Sequence, residues 1–182
     1  MRKKLFLLLL LPVLAFVLAT ATSASAASPH FKKNGSPVCT VNDSGATVTT
    51  TCSASLAGLG NGELVINVTT NGFAVYQCQN GGGNIAPGQN KVLVGPTTTP
   101  TTIPANQIKN GTVTFTTNPN TLAAADTVSG SAAGCPNSNW RGVNPNVTLT
   151  SIEITISQAG TLLFTCSASN PNGLSGQVAL SC

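Results

Sequence analysis

Charge is scarce in this chain of 182 residues: Asp, Glu, Lys and Arg together make up 7%, only four residues are acidic, and there is one histidine, one tryptophan and one tyrosine. Each scarcity excludes something. A nucleic-acid binder needs a clustered positive face to displace counterions from phosphates. The formal charge of +4 does not supply one, because three of the eight basic residues, Arg2, Lys3 and Lys4, stand together at the start. Without them five basic residues face four acidic ones, a net charge of +1, and no nucleic-acid partner is expected. A zinc site wants paired ligands at short spacing with histidines nearby. Successive cysteines are instead 13, 26, 57, 31 and 16 residues apart and the single histidine is His30, so no metal site and no cofactor is expected.

The parts of familiar catalytic machinery are missing as well. There is no G-x-S-x-G elbow and no H-E-x-x-H pair. Glycoside hydrolysis needs two carboxylates flanking one bond, and the acids Asp43, Glu63, Asp126 and Glu153 are scattered. Only convergence of Glu63 with Glu153 in space would support a hydrolase. Gly81-Gly82-Gly83 is not followed by the Gly-Lys-Ser/Thr of a phosphate cradle and reads as a turn. No catalytic residue is assigned, and a noncatalytic protein is expected.

What is present begins with an export signal. Arg2, Lys3 and Lys4 precede an apolar run over residues 5–19, and the small-residue site Ala24-Ser25-Ala26 follows. The run falls short of the roughly 20 residues that span a bilayer. Residues 1–26 are therefore expected to be a signal peptide and 27–182 a single secreted domain, with no membrane span after cleavage. An extracellular location also permits disulfides among the six cysteines, all of which follow the signal.

Beyond the signal, β-branched residues alternate with polar ones in short runs separated by turn residues, and no convincing helix is seen. Nine strands are expected, at 38–41, 46–53, 64–69, 73–78, 91–94, 112–117, 147–157, 161–168 and 177–181. This pattern predicts an all-β fold, an Ig-like antiparallel β-sandwich stapled by disulfides. The clearest strand carries Val147, Leu149, Ile152, Ile154 and Ile156 as its apolar positions.

Six cysteines allow 15 pairings, but the turns narrow the choice. A hairpin centred on Asp43-Ser44-Gly45-Ala46 places Cys39 opposite Cys52, because opposed residues in an antiparallel pair keep a constant index sum. A second hairpin centred near Leu174, within the turn-forming run that includes Asn170-Pro171-Asn172-Gly173, places Cys166 opposite Cys182. Cys78 and Cys135 then pair by elimination. Gly95-Pro96 through Ile103-Pro104 is rich in Thr and Pro and reads as an edge strand or surface loop, since a linker there would leave a third disulfide crossing between two domains. The pentapeptide Thr-Cys-Ser-Ala-Ser occurs at 51–55 and again at 165–169, a repeat expected to be chance.

Planar aromatics often meet sugar rings. Trp140 beside Arg141 lies in a Gly/Asn/Pro-rich loop near Cys135, either as an exposed ligand contact or, the favoured reading, as a cap on the sandwich. Tyr76 alternates with Ala74 and Cys78 and is expected in the core.

Leu56-Ala57-Gly58-Leu59-Gly60, then Ala74-Val75-Tyr76-Gln77-Cys78-Gln79-Asn80-Gly81-Gly82-Gly83-Asn84, and later Gly88-Gln89-Asn90-Lys91 and Cys135-Pro136, together resemble a family of small secreted bacterial proteins of unknown function. The start Ala27-Ser28-Pro29-His30-Phe31 is similar too. The resemblance covers most of the chain beyond the signal. It implies a bond between Cys78 and the cysteine of Cys135-Pro136, with Cys39, Cys52, Cys166 and Cys182 as additions to the pattern. It implies no activity. The expectation is a secreted noncatalytic binding or adhesion module at or near the cell surface, its partner an extracellular protein or polysaccharide. The alternatives are a structural or self-assembling protein and, less favoured, a hydrolase.

Overall fold

The computed structural model describes residues 28–182, and the expected signal peptide at 1–26 lies outside them. The strands are β1 (His30–Phe31), β2 (Val38–Asp43), β3 (Thr47–Ala57), β4 (Leu64–Gln79) and β5 (Ile85–Ile103), then β6 (Val113–Thr116), β7 (Asn120–Ala123) and β8 (Val128–Ser129). A one-turn helix α1 (Gly130–Ala133) precedes β9 (Arg141–Gln158), β10 (Thr161–Ser169) and β11 (Gly176–Ala179). They form two antiparallel sheets. In the first, β3 is central, with β2 and then β11 on one side and β6 and β7 end to end on the other. In the second the order is β10-β9-β4-β5, with β8 beside the start of β9. The protein is an all-β, Ig-like sandwich stapled by three disulfides.

The core sits between the inner faces. Leu56 of β3, Leu64, Ile66 and Val68 of β4, and Ile152 and Ile154 of β9 have no exposed surface. Full burial of each such side chain stabilises the fold by about 1.5–3 kcal/mol. One polar network crosses the core. Buried Asn120 accepts from Thr70 Oγ1 and donates to the carbonyl oxygens of Val68 and Thr97, tying β7 of the first sheet to β4 and β5 of the second.

β4 is the spine of the second sheet. Every even-numbered residue from Leu64 to Cys78 is buried, an unbroken period of two over 16 residues. The expected strands 64–69 and 73–78 are thus one strand. Gly72 lies in the break expected between them, and a Cβ there would lie 2.2 Å from the Thr148 carbonyl oxygen, so the glycine serves close approach to β9. Its neighbours absorb the irregularities. Opposite Gly72, β5 and β9 each carry one extra residue, and between Val75 and Gln77 β5 carries two extra and β9 one. These bulges explain why the apolar positions of β9 jump from Leu149 to Ile152.

Other expectations need correction. The strand expected at 91–94 belongs to the 19-residue β5, which includes the Thr/Pro segment and lies at the sheet edge. There Pro87, Pro96 and Pro100 remove backbone donors. β1, β7 and β8 are too short for a periodic signal. The helix α1, absent from the sequence reading, is set by Ser129, whose Oγ accepts from Ala132 N–H, and ends at Gly134 in the left-handed conformation.

The sulfur atoms are joined as Cys39–Cys52, Cys78–Cys135 and Cys166–Cys182. Cys39 stands directly opposite Cys52 in the β2–β3 ladder. The second hairpin does not form as expected. Ser167 and Ser181 do exchange backbone hydrogen bonds beside the cysteines, but β10 pairs with β9 while β11 crosses to the first sheet and pairs with β2. The Asn170–Gly173 turn is anchored to β9 through Thr150 and leads into the Leu174–Leu149 bond, which directs the chain across the sandwich.

Candidate functional site

The end of the second sheet nearest the Cys78–Cys135 bridge holds a cleft of about 580 Å³. Its size falls within the roughly 300–1,000 Å³ of small-molecule sites. One wall is the turn after β4, formed by Gln79, Asn80, Gly81 and Gly83, and the other is the segment Ser138 to Arg141 leading into β9. Sequence reasoning picked out Trp140 and Arg141, and both line this cleft.

Each wall is built by local chemistry. Asn80 Oδ1 accepts from the backbone N–H groups of Gly82 and Asn84, and Asn80 O accepts from Gly83 N–H. Asn80 therefore organises the glycine turn, and the Gly82 donor is already engaged instead of being free for a phosphate. On the other wall Asn137 Oδ1 accepts from Asn139 N–H, and Asn137 O accepts from Trp140 N–H. The Cys78–Cys135 disulfide ties the foot of this loop to the end of β4. Gly130 of α1 sits so close beneath it that a Cβ would lie 2.3 Å from the Trp140 carbonyl oxygen.

Trp140 combines the two readings of it. It is half-buried, packing against the core cluster, and it also lines the cleft. Arg141 is exposed, stands opposite Gln79 in the ladder, and donates from Nη2 to Gln79 Oε1 at 2.9 Å. That bond holds the guanidinium across the cleft and leaves its other donors for a ligand. Among the described residues, no carboxylate and no histidine lines the cleft.

The remaining candidates disperse. Glu153 stands in the Thr69 row of the β4–β9 ladder, whereas Glu63 immediately precedes Leu64. Glu63 thus lies six residues before the Thr69 row, about 20 Å at a rise of ~3.3 Å per residue. The carboxyl groups of a glycosidase flank one bond at roughly 5–9.5 Å, so Glu63 and Glu153 do not form such a pair. His30 is exposed in β1, its Nδ1 within 2.8 Å of the Ser28 carbonyl oxygen. All six cysteines are in disulfides, and no group of three or more potential metal ligands converges among the described residues. Among the same residues no helix is long and apolar enough to cross a membrane.

A second cleft, of about 530 Å³, was not visible in the sequence. It lies where β5 and β9 bulge around β4, between Val75, Gln77 and Pro87 on one side and Asn144, Pro145 and Asn146 on the other. Asn144 Nδ2 donates to Gln77 Oε1 at 2.8 Å, repeating the Arg141–Gln79 cross-link one step along β4. Beneath it Tyr76 is buried and donates its hydroxyl to the Ala125 carbonyl oxygen. Burial, with the negative charge of Asp126 adding to it, holds the Tyr76 phenol above its ordinary pKa. The alternation at Ala74, Tyr76 and Cys78 gave the burial of Tyr76, but a bulge in a neighbouring strand leaves no signature in the sequence of β4.

No protein-family model matches the chain, and no curated protein matches it.

Proposed function

We propose that this protein is a secreted, noncatalytic binding module of the bacterial cell surface, and that its ligand occupies the cleft between the Asn80 turn and Trp140–Arg141. It belongs, on this reading, with the small secreted proteins that its Tyr76 to Asn84 and Cys135-Pro136 segments resemble. The observation that carries the proposal is the composition of the cleft: a tryptophan, a guanidinium and several amides line a disulfide-tied frame, with no carboxylate or histidine among the described residues. Such a set holds a polar ligand by stacking and hydrogen bonds and supplies no general acid–base pair. The disulfides and the absence of a membrane-crossing helix among the described residues are compatible with an extracellular protein.

The self-assembling alternative is less favoured by the sheet edges. β5 is interrupted by prolines, and the outer side of β10 is met by the returning C-terminus where Ser167 pairs with Ser181. Neither presents a long open row of backbone groups for a second copy. The test is partition of the exported protein between washed cell envelope and culture supernatant. Retention that falls in Trp140→Ala or Arg141→Ala is expected. Full release of the wild-type protein as a monomer contradicts a surface-binding role.

A further inference from the structure

Resting on that reading, the two clefts are parts of one larger seat. Phe73, Val75, Gln77 and Gln79 are successive outward-facing residues of β4, and the second cleft holds Val75 and Gln77 while the first begins at Gln79. The row spans about 20 Å at the rise of an extended strand. Its chemistry is graded. Arg141 and Trp140 stand at the Gln79 end, the cross-linked amides of Gln77 and Asn144 lie in the middle, and an apolar platform closes the far end. That platform is Leu93, 86% exposed and opposite Phe73 in the ladder. Lys91 pairs with Val75 on the same outward face, and its ammonium lies 4.1 Å from the centre of the Phe73 ring. The cation–π contact fixes a positive charge over the seat.

We propose that this face, from Trp140 and Arg141 to Lys91 and Phe73, binds a linear polysaccharide bearing carboxylates, of the polyuronate type. Three features select that chemistry. Apolar platforms alternating with amides match sugar units, which present C–H faces and hydroxyl edges. The cations are two, about 13 Å apart along the strand, with no carboxylate lining either cleft. So sparse a charge suits a sugar chain with spaced carboxylates and leaves most phosphates of a nucleic acid unmatched. β4 is paired along its length by β5 and β9, so its backbone is taken, and a peptide cannot add to it as a strand.

The probes are polygalacturonate and the same polymer with its carboxylates methyl-esterified, tested at low salt against the exported protein and its Arg141→Gln and Lys91→Gln variants. Both side chains are exposed, so unfolding is not the expected effect of either change, and thermal melts check this. The wild-type protein is expected to bind the acidic polymer. Esterification or either substitution should weaken binding at least about tenfold. Oligomers long enough to reach from Arg141 to Lys91 should bind at least about tenfold tighter than single galacturonate. Equal binding of the esterified polymer, indifference to Lys91→Gln, or no gain with length overturns the inference. If polygalacturonate is ignored while the envelope still retains the protein through Trp140, the polyuronate assignment falls and the cleft reading stands. If nothing retains the protein, both fall.

Discussion

The outward face of the first sheet and the stapled end of the second share one fold and differ in almost everything else. On the first, the rows Gln177–Thr40–Thr51, Asn42–Thr49–Thr121 and Val38–Ser53–Thr116 contain no charged side chain. Their side chains are short, and in the next row Ser55 and Thr114 share a hydrogen bond at 2.8 Å. On the second, long amide, guanidinium and aromatic side chains project where β5 and β9 leave register with β4. The inward pattern is the same in both, apolar residues at alternate positions, so the demands of the core do not explain the contrast. On the first sheet the ladders are regular and the outward side chains short. Where those of the second bulge, side chains are turned toward each other across a gap, and polar groups with reach are found. A disulfide, a capped helical turn and Gly130, packed against the Trp140 carbonyl, hold that end in place.

The contrast is most severely stressed by removing disulfides. Replacing both Cys78 and Cys135 with serine releases a 57-residue loop, and replacing Cys39 and Cys52 releases one of 13. Chain entropy sets the losses at about 4 and about 3 kcal/mol, read by denaturant unfolding. Only the first change should abolish envelope retention under conditions where both variants stay folded. Loss of retention in both would break the comparison.

Glycines sharpen it further. Gly72→Ala drives a Cβ against the Thr148 carbonyl and should cost about 3 kcal/mol. Gly45→Ala, at the tip of the β2–β3 hairpin with φ of +81° and nothing within 4 Å, should cost about 1 kcal/mol.

Trp140→Ala is expected to lower retention about tenfold, equivalent to ~1.4 kcal/mol of binding, with the disulfides intact. Tyr76→Phe forfeits the hydrogen bond to Ala125 and should cost about 1 kcal/mol of stability. Its pH dependence follows from the raised phenol pKa. The fold holds the proton more tightly than the unfolded chain does. The stabilisation is therefore fully present below the unfolded phenol's pKa of about 10 and is lost as pH rises through the higher folded value. The alkaline loss in unfolding experiments should be smaller in Tyr76→Phe. Smallest of all, Thr51→Lys on the first sheet should change stability by less than about 0.5 kcal/mol and leave retention unaltered. A large loss of retention there would place the binding face on the wrong sheet.

The legible parts of the fold were those written in local periodicity. Alternation in β4 and β9 marked the inner faces, and a constant index sum about Asp43-Ser44-Gly45-Ala46 aligned Cys39 with Cys52. The break expected between 69 and 73 is absent because Gly72 there serves close approach to β9, 76 residues away at Thr148. The C-terminal hairpin misled because the index sum holds at Ser167 and Ser181 while the strands on either side join different sheets. Of the site, Trp140 and Arg141 were visible as an aromatic and a cation in a loop. Gln79, the partner of Arg141, was not, since an amide in a sequence rich in amides carries no signal until a ladder sets it opposite a guanidinium. The outward track from Phe73 to Gln79 depends on bulges in two other strands and had no trace in its own segment.

Amide hydrogen exchange of the exported protein, with and without saturating washed envelope material, tests the central claim most directly. The account predicts added protection at residues 79–83 and 138–141, with the strands of the first sheet unchanged. Protection concentrated instead on 38–43 and 47–57 would contradict it, and would move the binding surface to the hydroxyl face of the first sheet.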